Sequence, residues 1–266
     1  MENYKKIAND ARKKTLEMIH LAGTSHIGSN FSCIDVLSVL FSRLNIDKNL
    51  KEDRDRFVLS KGWAAASLYY FLSEKGIIPK EDLKTYCMPG SKYIGLSEPD
   101  VRGVEVAGGA MGHGLPIALG MALGAKLSDE KWKTFVLMSD GELDCGTTWE
   151  CAAIAPQHGL NNLTVIVDCN GFQAMGAVNE VLNMEPLADK WKAFNWDVVE
   201  IDGHNYNEIE KAIDKSFSSD RTKPLVIIAR TIKGKGVSFF EGKLEWHYKN
   251  VDKENYINAL AELNGK

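Results

Sequence analysis

Four short runs of β-branched and aromatic residues constrain this chain more than any other feature. They are Thr134–Met138, Leu163–Val167, Asp197–Ile201 and Leu225–Ala229. Each is near-continuously apolar rather than alternating, the pattern of strands covered on both faces. A shorter run lies at Phe57–Leu59. Between them stand segments with helical spacing, Trp63–Lys75, Leu115–Leu127, Thr147–His158 and Asn207–Phe217, with further helices expected over Asn3–Leu21 and Lys253–Leu263. Strands alternating with helices imply an α/β fold, a mainly parallel sheet sandwiched by helices. With no internal repeat, low-complexity tract or linker, residues 1–266 read as a single domain.

Charge and composition remove several function classes. Asp plus Glu number 36 against 32 for Lys plus Arg, a formal charge of -4, and no basic stripe stands out. A nucleic-acid partner is therefore not expected. Val106–Ala125 is long enough to cross a bilayer and carries no charged residue, but six glycines, Pro116 and His113 fit a glycine-rich loop entering a buried helix instead. No membrane association is expected. The five cysteines form no CxxC pair, and the polar amino terminus lacks an apolar signal core. Both features point to reduced thiols and a cytoplasmic location.

The chemistry gathers where strands end. In an open parallel sheet, ligands bind beyond the carboxyl edge. The run ending at Met138 gives way to Ser139-Asp140-Gly141, and the run ending at Val167 to Asp168-Cys169-Asn170-Gly171. Each pair taken singly reads as a turn. Together, thirty positions apart at two strand ends, Asp140 and Asn170 present two oxygen ligands, and the Phe172 carbonyl offers a third. Such a set suits a hard cation such as magnesium, which prefers oxygen and usually keeps phosphate oxygens in its shell. Gly141 has no side chain to block an anion approaching its N–H.

The stretch DGELDCGTTWE…NNLTVIVDCNG resembles the thiamine diphosphate signature of the transketolase family. SHIGSNFSCIDVLSVLF, RFVLSKGWAAASLYYFL, GVEVAGGAMGHGLPIALGMALGAK and RTIKGKGVSFFEGKLEWHYK resemble further segments of the same family, so the likeness covers nearly the whole chain. It implies a thiamine diphosphate-binding fold of the diphosphate type. It also implies that Asp140, Asn170 and the Phe172 carbonyl bind Mg2+, or another divalent cation such as Ca2+. By the same likeness Gly141 donates its N–H to the diphosphate, Gly109, Ala110 and Met111 line the cofactor, His247 faces diphosphate and substrate, and His26 reaches substrate oxygens. Either histidine, read from the residues alone, is equally a packed or surface residue.

In that family a glutamate on the following domain, from a neighbouring protomer, grips the cofactor's pyrimidine. This chain ends at Lys266 without that domain. The expectation is the amino-terminal subunit of a split transketolase, active only with a carboxy-terminal subunit in a two-plus-two heterotetramer, and moving a two-carbon ketol unit between small sugars or sugar phosphates. Four departures bear on this reading. Ser139 replaces the signature's first glycine, Trp63 stands where the family has histidine, the loop 93–99 lacks a histidine, and Cys145 replaces an interface glutamate although Glu150 is kept. Loss of two histidines raises an alternative: a thiamine-dependent acyl or aldehyde transferase, or a carboligase, using a deoxy ketose or 2-oxo acid donor.

Rival readings fare worse. GGAMGHG has the wrong spacing for a dinucleotide-binding loop. A metal-dependent hydrolase built on Asp140 and Asp168 lacks a close His/carboxylate cluster. A catalytically silent binding protein has no reason to keep the Asp140 and Asn170 pair.

Overall fold

The computed structural model describes residues 2–266. Five strands, β1 (Arg56–Leu59), β2 (Thr134–Ser139), β3 (Leu163–Cys169), β4 (Asp197–Asp202) and β5 (Leu225–Arg230), form one all-parallel sheet in the order β1-β2-β3-β5-β4. Ten helices among the described residues flank it: α1 (Glu2–Ala22), α2 (Ile27–Ser32), α3 (Ile34–Arg43), α4 (Ala65–Glu74), α5 (Gly114–Leu127), α6 (Gly146–Gln157), α7 (Val178–Val181), α8 (Leu187–Ala193), α9 (Tyr206–Phe217) and α10 (Lys253–Leu263).

The period-2 geometry of the strands divides the core into two layers. Phe135, Leu137, Ile166, Leu225 and Ile227 point into one cluster with residues of α1, α3, α4, α9 and α10. Val136, Met138, Val165, Val167, Val226 and Ile228 point into the other, against α5, α6 and Trp191 of α8. Three central strands are therefore buried on both faces, as their unbroken apolar runs require. β4 departs from that expectation. It is an edge strand, and of its residues only Ile201 is fully buried.

The strand order has a handedness reason. The chain advances from β1 to β2, β3 and β4 with α5, α6 and α8 on one layer, then reverses from β4 to β5 through α9 on the other. Parallel crossovers are right-handed in nearly all proteins, so reversing direction across the sheet moves the connecting helix to the opposite face.

Each strand runs one or two residues beyond its apolar segment at the carboxyl edge, or one before it in β1. Ser139 pairs in register with Asp168, and Cys169 with Arg230. The ladder thus carries polar side chains to the edge where a ligand would sit. Expected helix starts shift slightly: Gly62–Ala64 is a single 3-10 turn before α4, and α6 begins at Gly146. No helix among the described residues is long and apolar enough to cross a membrane; Val106–Ala125 divides into a glycine loop and the first part of α5. All five cysteines are free thiols.

Candidate active site

A cleft of about 750 Å³ opens at the carboxyl edge of the sheet. Its wall includes His26, Gly109, Met111, Gly141, Asn170, Phe172 and His247, seven positions singled out by sequence. Asp140, 4 % exposed, stands between the wall residues Ser139 and Gly141 but lines a neighbouring pocket with Cys169, Gly171 and Arg230. Ala110 is exposed on the same glycine loop but is not part of the cleft wall.

Asp140 directly follows β2 and is tied to the turn after β3. Its Oδ2 accepts from the Gly171 N–H at 2.7 Å, and its Oδ1 accepts from the Gly141 N–H at 2.9 Å. The Gly141 N–H is thus turned toward Asp140 rather than outward. Asn170 Oδ1 accepts from the Phe172 N–H at 3.1 Å, which curls the loop after β3 around the same point. Burial, then the neighbouring Asp168 charge, raise the Asp140 carboxyl to about 6. Lys61 makes its ion pair with Asp168 and reaches Asp140 only as a more distant charge, and the Asp140 carboxylate with the Asn170 amide oxygen offers the donor type a hard divalent cation takes. The residues present therefore fit a magnesium-type ion.

A second buried layer supports this edge. Asp168 is 1 % exposed and pairs with Lys61, with Ser32 at 2.6 Å and with Thr231. Asn170 Nδ2 also donates to it at 3.2 Å. Burial alone would raise the Asp168 carboxyl, but Lys61 overrides that and holds it low. Glu142 Oε1 accepts from Ser60 and from the Gly112 N–H at 2.8 Å, binding the glycine loop to the ends of β1 and β2. Gly108 is obligatory there: a Cβ would lie 2.7 Å from Gly62 Cα and would collide with Ser97 Oγ.

The histidines face the cleft as an aromatic group. His26 stacks on Trp63 with centroids 4.0 Å apart and planes 7° from parallel. His247 stands edge-on to His26 at 5.0 Å, and Tyr248 packs on His247 at 4.8 Å. His26 has a left-handed backbone, φ 72°, an uncommon conformation for a residue bearing a side chain. Lys233 Nζ contacts His247 Nδ1 at 3.1 Å and Ser29 Oγ at 3.2 Å. An ammonium only donates, so Nδ1 is the acceptor and the ring carries its proton on Nε2. Burial, then the Lys233 charge, depress His26 to about 4 and His247 to about 3. Burial, then Lys61, lower Lys233 to about 8. At neutral pH the cleft holds two neutral histidines beside a mostly charged lysine.

Sequence reasoning did not single out Ser29, Ser60, Lys61, Glu142 or Lys233. Buried lysines look like surface lysines in a sequence. The signal that was available is local: Lys61 comes two residues after β1 and Lys233 three after β5, both at the ligand-binding edge.

Comparison with known proteins agrees with this geometry. Residues 3–264 match the family described as transketolase, thiamine diphosphate binding domain. The chain belongs to that family. It is 40% identical over 255 residues to a protein of Phocaeicola vulgatus named as one subunit of apulose-4-phosphate transketolase, covering 95% of this chain and 90% of that protein. It is likewise 40% identical over 262 residues to the 6-deoxy-6-sulfo-D-fructose transketolase subunit SqwG of a Clostridium species, covering 96% and 94%. The transketolase structure from Campylobacter jejuni superposes with a TM-score of 0.93 at 33% identity, over 99% of this chain but 43% of that one. The chain thus spans under half of the Campylobacter jejuni transketolase chain and nearly all of two proteins named as transketolase subunits.

Proposed function

We propose that this chain is the amino-terminal subunit of a two-component transketolase, moving a two-carbon ketol unit from a ketose phosphate donor to an aldose acceptor. The observation that carries the reading is the convergence of Asn170, His26 and His247 on one carboxyl-edge cleft, with Asp140 hydrogen-bonded to the N–H groups of Gly141 in its wall and of Gly171, in a chain of this family. Thiamine diphosphate, when bound, supplies an electron sink for the two-carbon unit. Asp140, Asn170 and the Phe172 carbonyl hold the divalent ion of its diphosphate, and Gly141 lies against the phosphate oxygens. The Gly109–Met111 loop covers the cofactor's middle. The His247 Nε2–H donates to anionic oxygen, and neutral His26 hydrogen-bonds substrate hydroxyl or carbonyl oxygen.

A partner subunit completes the enzyme. Two relatives matched over nearly their full length are named as subunits, which supports a carboxy-terminal partner carrying the pyrimidine-binding domain, in a two-plus-two assembly. We place the pair in the cytoplasm. The names of the relatives favour ketol transfer over the acyl-transfer alternative, while the Trp63–His26 stack keeps donor choice as a separate question.

The test is transfer of a two-carbon unit by the chain mixed with its partner, cofactor and Mg2+, with a ketose phosphate donor and an aldose acceptor. Turnover that needs both subunits supports the reading. Turnover with pyruvate and none with any ketose phosphate contradicts it.

A further inference from the structure

Lys233 sits in the middle of a short loop that is gripped on both sides by partners of a single buried carboxylate. Asp35 lies on α3, 4 % exposed and remote in sequence from every cleft residue after α2. Arg12 of α1 meets it with two hydrogen bonds, 2.9 and 2.7 Å. His204 Nδ1 meets the same carboxylate at 2.7 Å, and the Tyr206 hydroxyl donates to it at 2.6 Å. Burial alone would raise the Asp35 carboxyl, but the His204 hydrogen bond and the Arg12 guanidinium override it and hold it well below the carboxylate range.

Both of these partners reach onward to the loop. Arg12 Nε donates to the Lys235 carbonyl at 2.8 Å. His204 Nε2 accepts from the Ile232 N–H at 2.9 Å. His204 therefore has a fixed tautomer, with its proton on Nδ1 toward Asp35 and its lone pair on Nε2 toward the loop. Gly203 makes the approach possible: a Cβ there would collide with Thr231 Cγ2, and its N–H donates to the Arg230 carbonyl at 2.8 Å. The clamped residues Ile232 and Lys235 bracket Lys233, whose ammonium contacts Ser29 and His247.

We propose that His204, oriented by Asp35, is a positioning residue that fixes the Ile232–Lys235 loop and through Lys233 sets the orientation and proton position of His247. Backbone bonds hold part of this loop, Gly234 N–H to the Gly28 carbonyl at 3.0 Å and Gly242 N–H to the Lys233 carbonyl at 2.9 Å, whereas the Ile232 N–H and the Lys235 carbonyl at its two ends are met by the side chains of His204 and Arg12. The proposal takes from the functional reading only that His247 faces the bound cofactor. Its primary test is independent of catalysis.

Two substitutions separate the arms of the imidazole. In His204→Asn the amide reaches Asp35 as Nδ1 does and leaves Ile232 without an acceptor. In His204→Gln the longer amide places an oxygen near the Nε2 position and keeps that acceptor. The measurements, on the full-length chain, are the NMR titration of the His247 ring and hydrogen exchange of the Ile232 amide. The Gln variant should keep the His247 midpoint near 3, as in the parent protein, and keep Ile232 protected. The Asn variant, and His204→Ala where it folds, should raise the midpoint to about 4–5, because Lys233 no longer faces the ring. Their Ile232 exchange should be about tenfold faster, the expected consequence of losing roughly 1.4 kcal/mol of local protection. In the complex with the partner, apparent cofactor affinity should follow the same order. An unchanged His247 midpoint in the Asn variant, or equal shifts in the Asn and Gln variants, would overturn the proposal. Loss of transfer activity with an intact Gln/Asn contrast would leave the positioning role standing and remove the functional reading instead.

Discussion

The Gly171 N–H donates to Asp140 Oδ2 at 2.7 Å, so that the turn after β3 closes directly onto the carboxylate that follows β2. This bond brings the Asp-Gly and Asn-Gly pairs, thirty positions apart in the chain, to one point at the sheet edge. Around that point lie the buried Asp168–Lys61 pair below and the His26, Trp63 and His247 group at the side.

The Lys61–Asp168 pair is structural support for the site. Lys61→Met leaves Asp168 buried without its cation and should destabilise the chain by about 3–5 kcal/mol. The double variant Lys61→Met/Asp168→Asn should lose clearly less than the sum of its singles, since neither charge is then stranded. Urea unfolding of the four proteins checks this; additive losses would mean that the two groups do not interact.

Acid should weaken the fold through the two cleft histidines. An unfolded histidine takes its proton near 6.5, whereas His26 resists until about 4 and His247 until about 3. Between those values the unfolded state binds more protons, so stability falls as pH drops from about 6.5 toward 4. His26→Phe should flatten part of that slope in a Tm-versus-pH series. A slope identical to that of the parent protein would show that His26 titrates normally.

Trp63 shields His26. Trp63→Ala removes a stacked pair worth about 1 kcal/mol and admits water to the ring, so the His26 midpoint should climb from about 4 toward the ordinary value. In the two-subunit enzyme the KM for the ketose donor should rise several-fold while cofactor affinity stays unchanged. Equal loss of cofactor affinity would place Trp63 in cofactor binding instead.

The glycine loop should tolerate no side chain at its closest approach. Gly108→Ala must displace Ser97 or the Gly62 backbone and should cost about 2 kcal/mol or more. Gly146→Ala, where nothing lies within 4 Å of the added carbon, should change Tm little. Similar losses in both would show that backbone freedom, not crowding, sets the requirement.

Much of this architecture was legible in the residues. The apolar runs at 134–138, 163–167 and 225–229 located the central strands because burial on both faces demands unbroken Val, Ile and Leu. Their polar last residues, such as Ser139 and Cys169, were not legible as strand, since ladder bonds continue where hydrophobicity has stopped. α7 and α8 were missed because four and seven residues give too little periodicity to read. The insertion of β5 between β3 and β4 is a matter of crossover direction, which no local pattern records. At the site, Asp140 and Asn170 stood out beside turn glycines, whereas the clamp from Asp35 through His204 to Ile232 joins three separate segments and leaves no motif.

The proposed function stands or falls on Asp140 and Asn170 anchoring a divalent ion that in turn anchors the cofactor's diphosphate. Calorimetric titration of thiamine diphosphate into the assembled subunits, with and without Mg2+, is the decisive measurement. Binding should require the ion, and Asp140→Asn should weaken it by about 100-fold or more, as expected when roughly 3 kcal/mol of charge-assisted contact is lost. Equal affinity with and without Mg2+, unaffected by Asp140→Asn, would refute it.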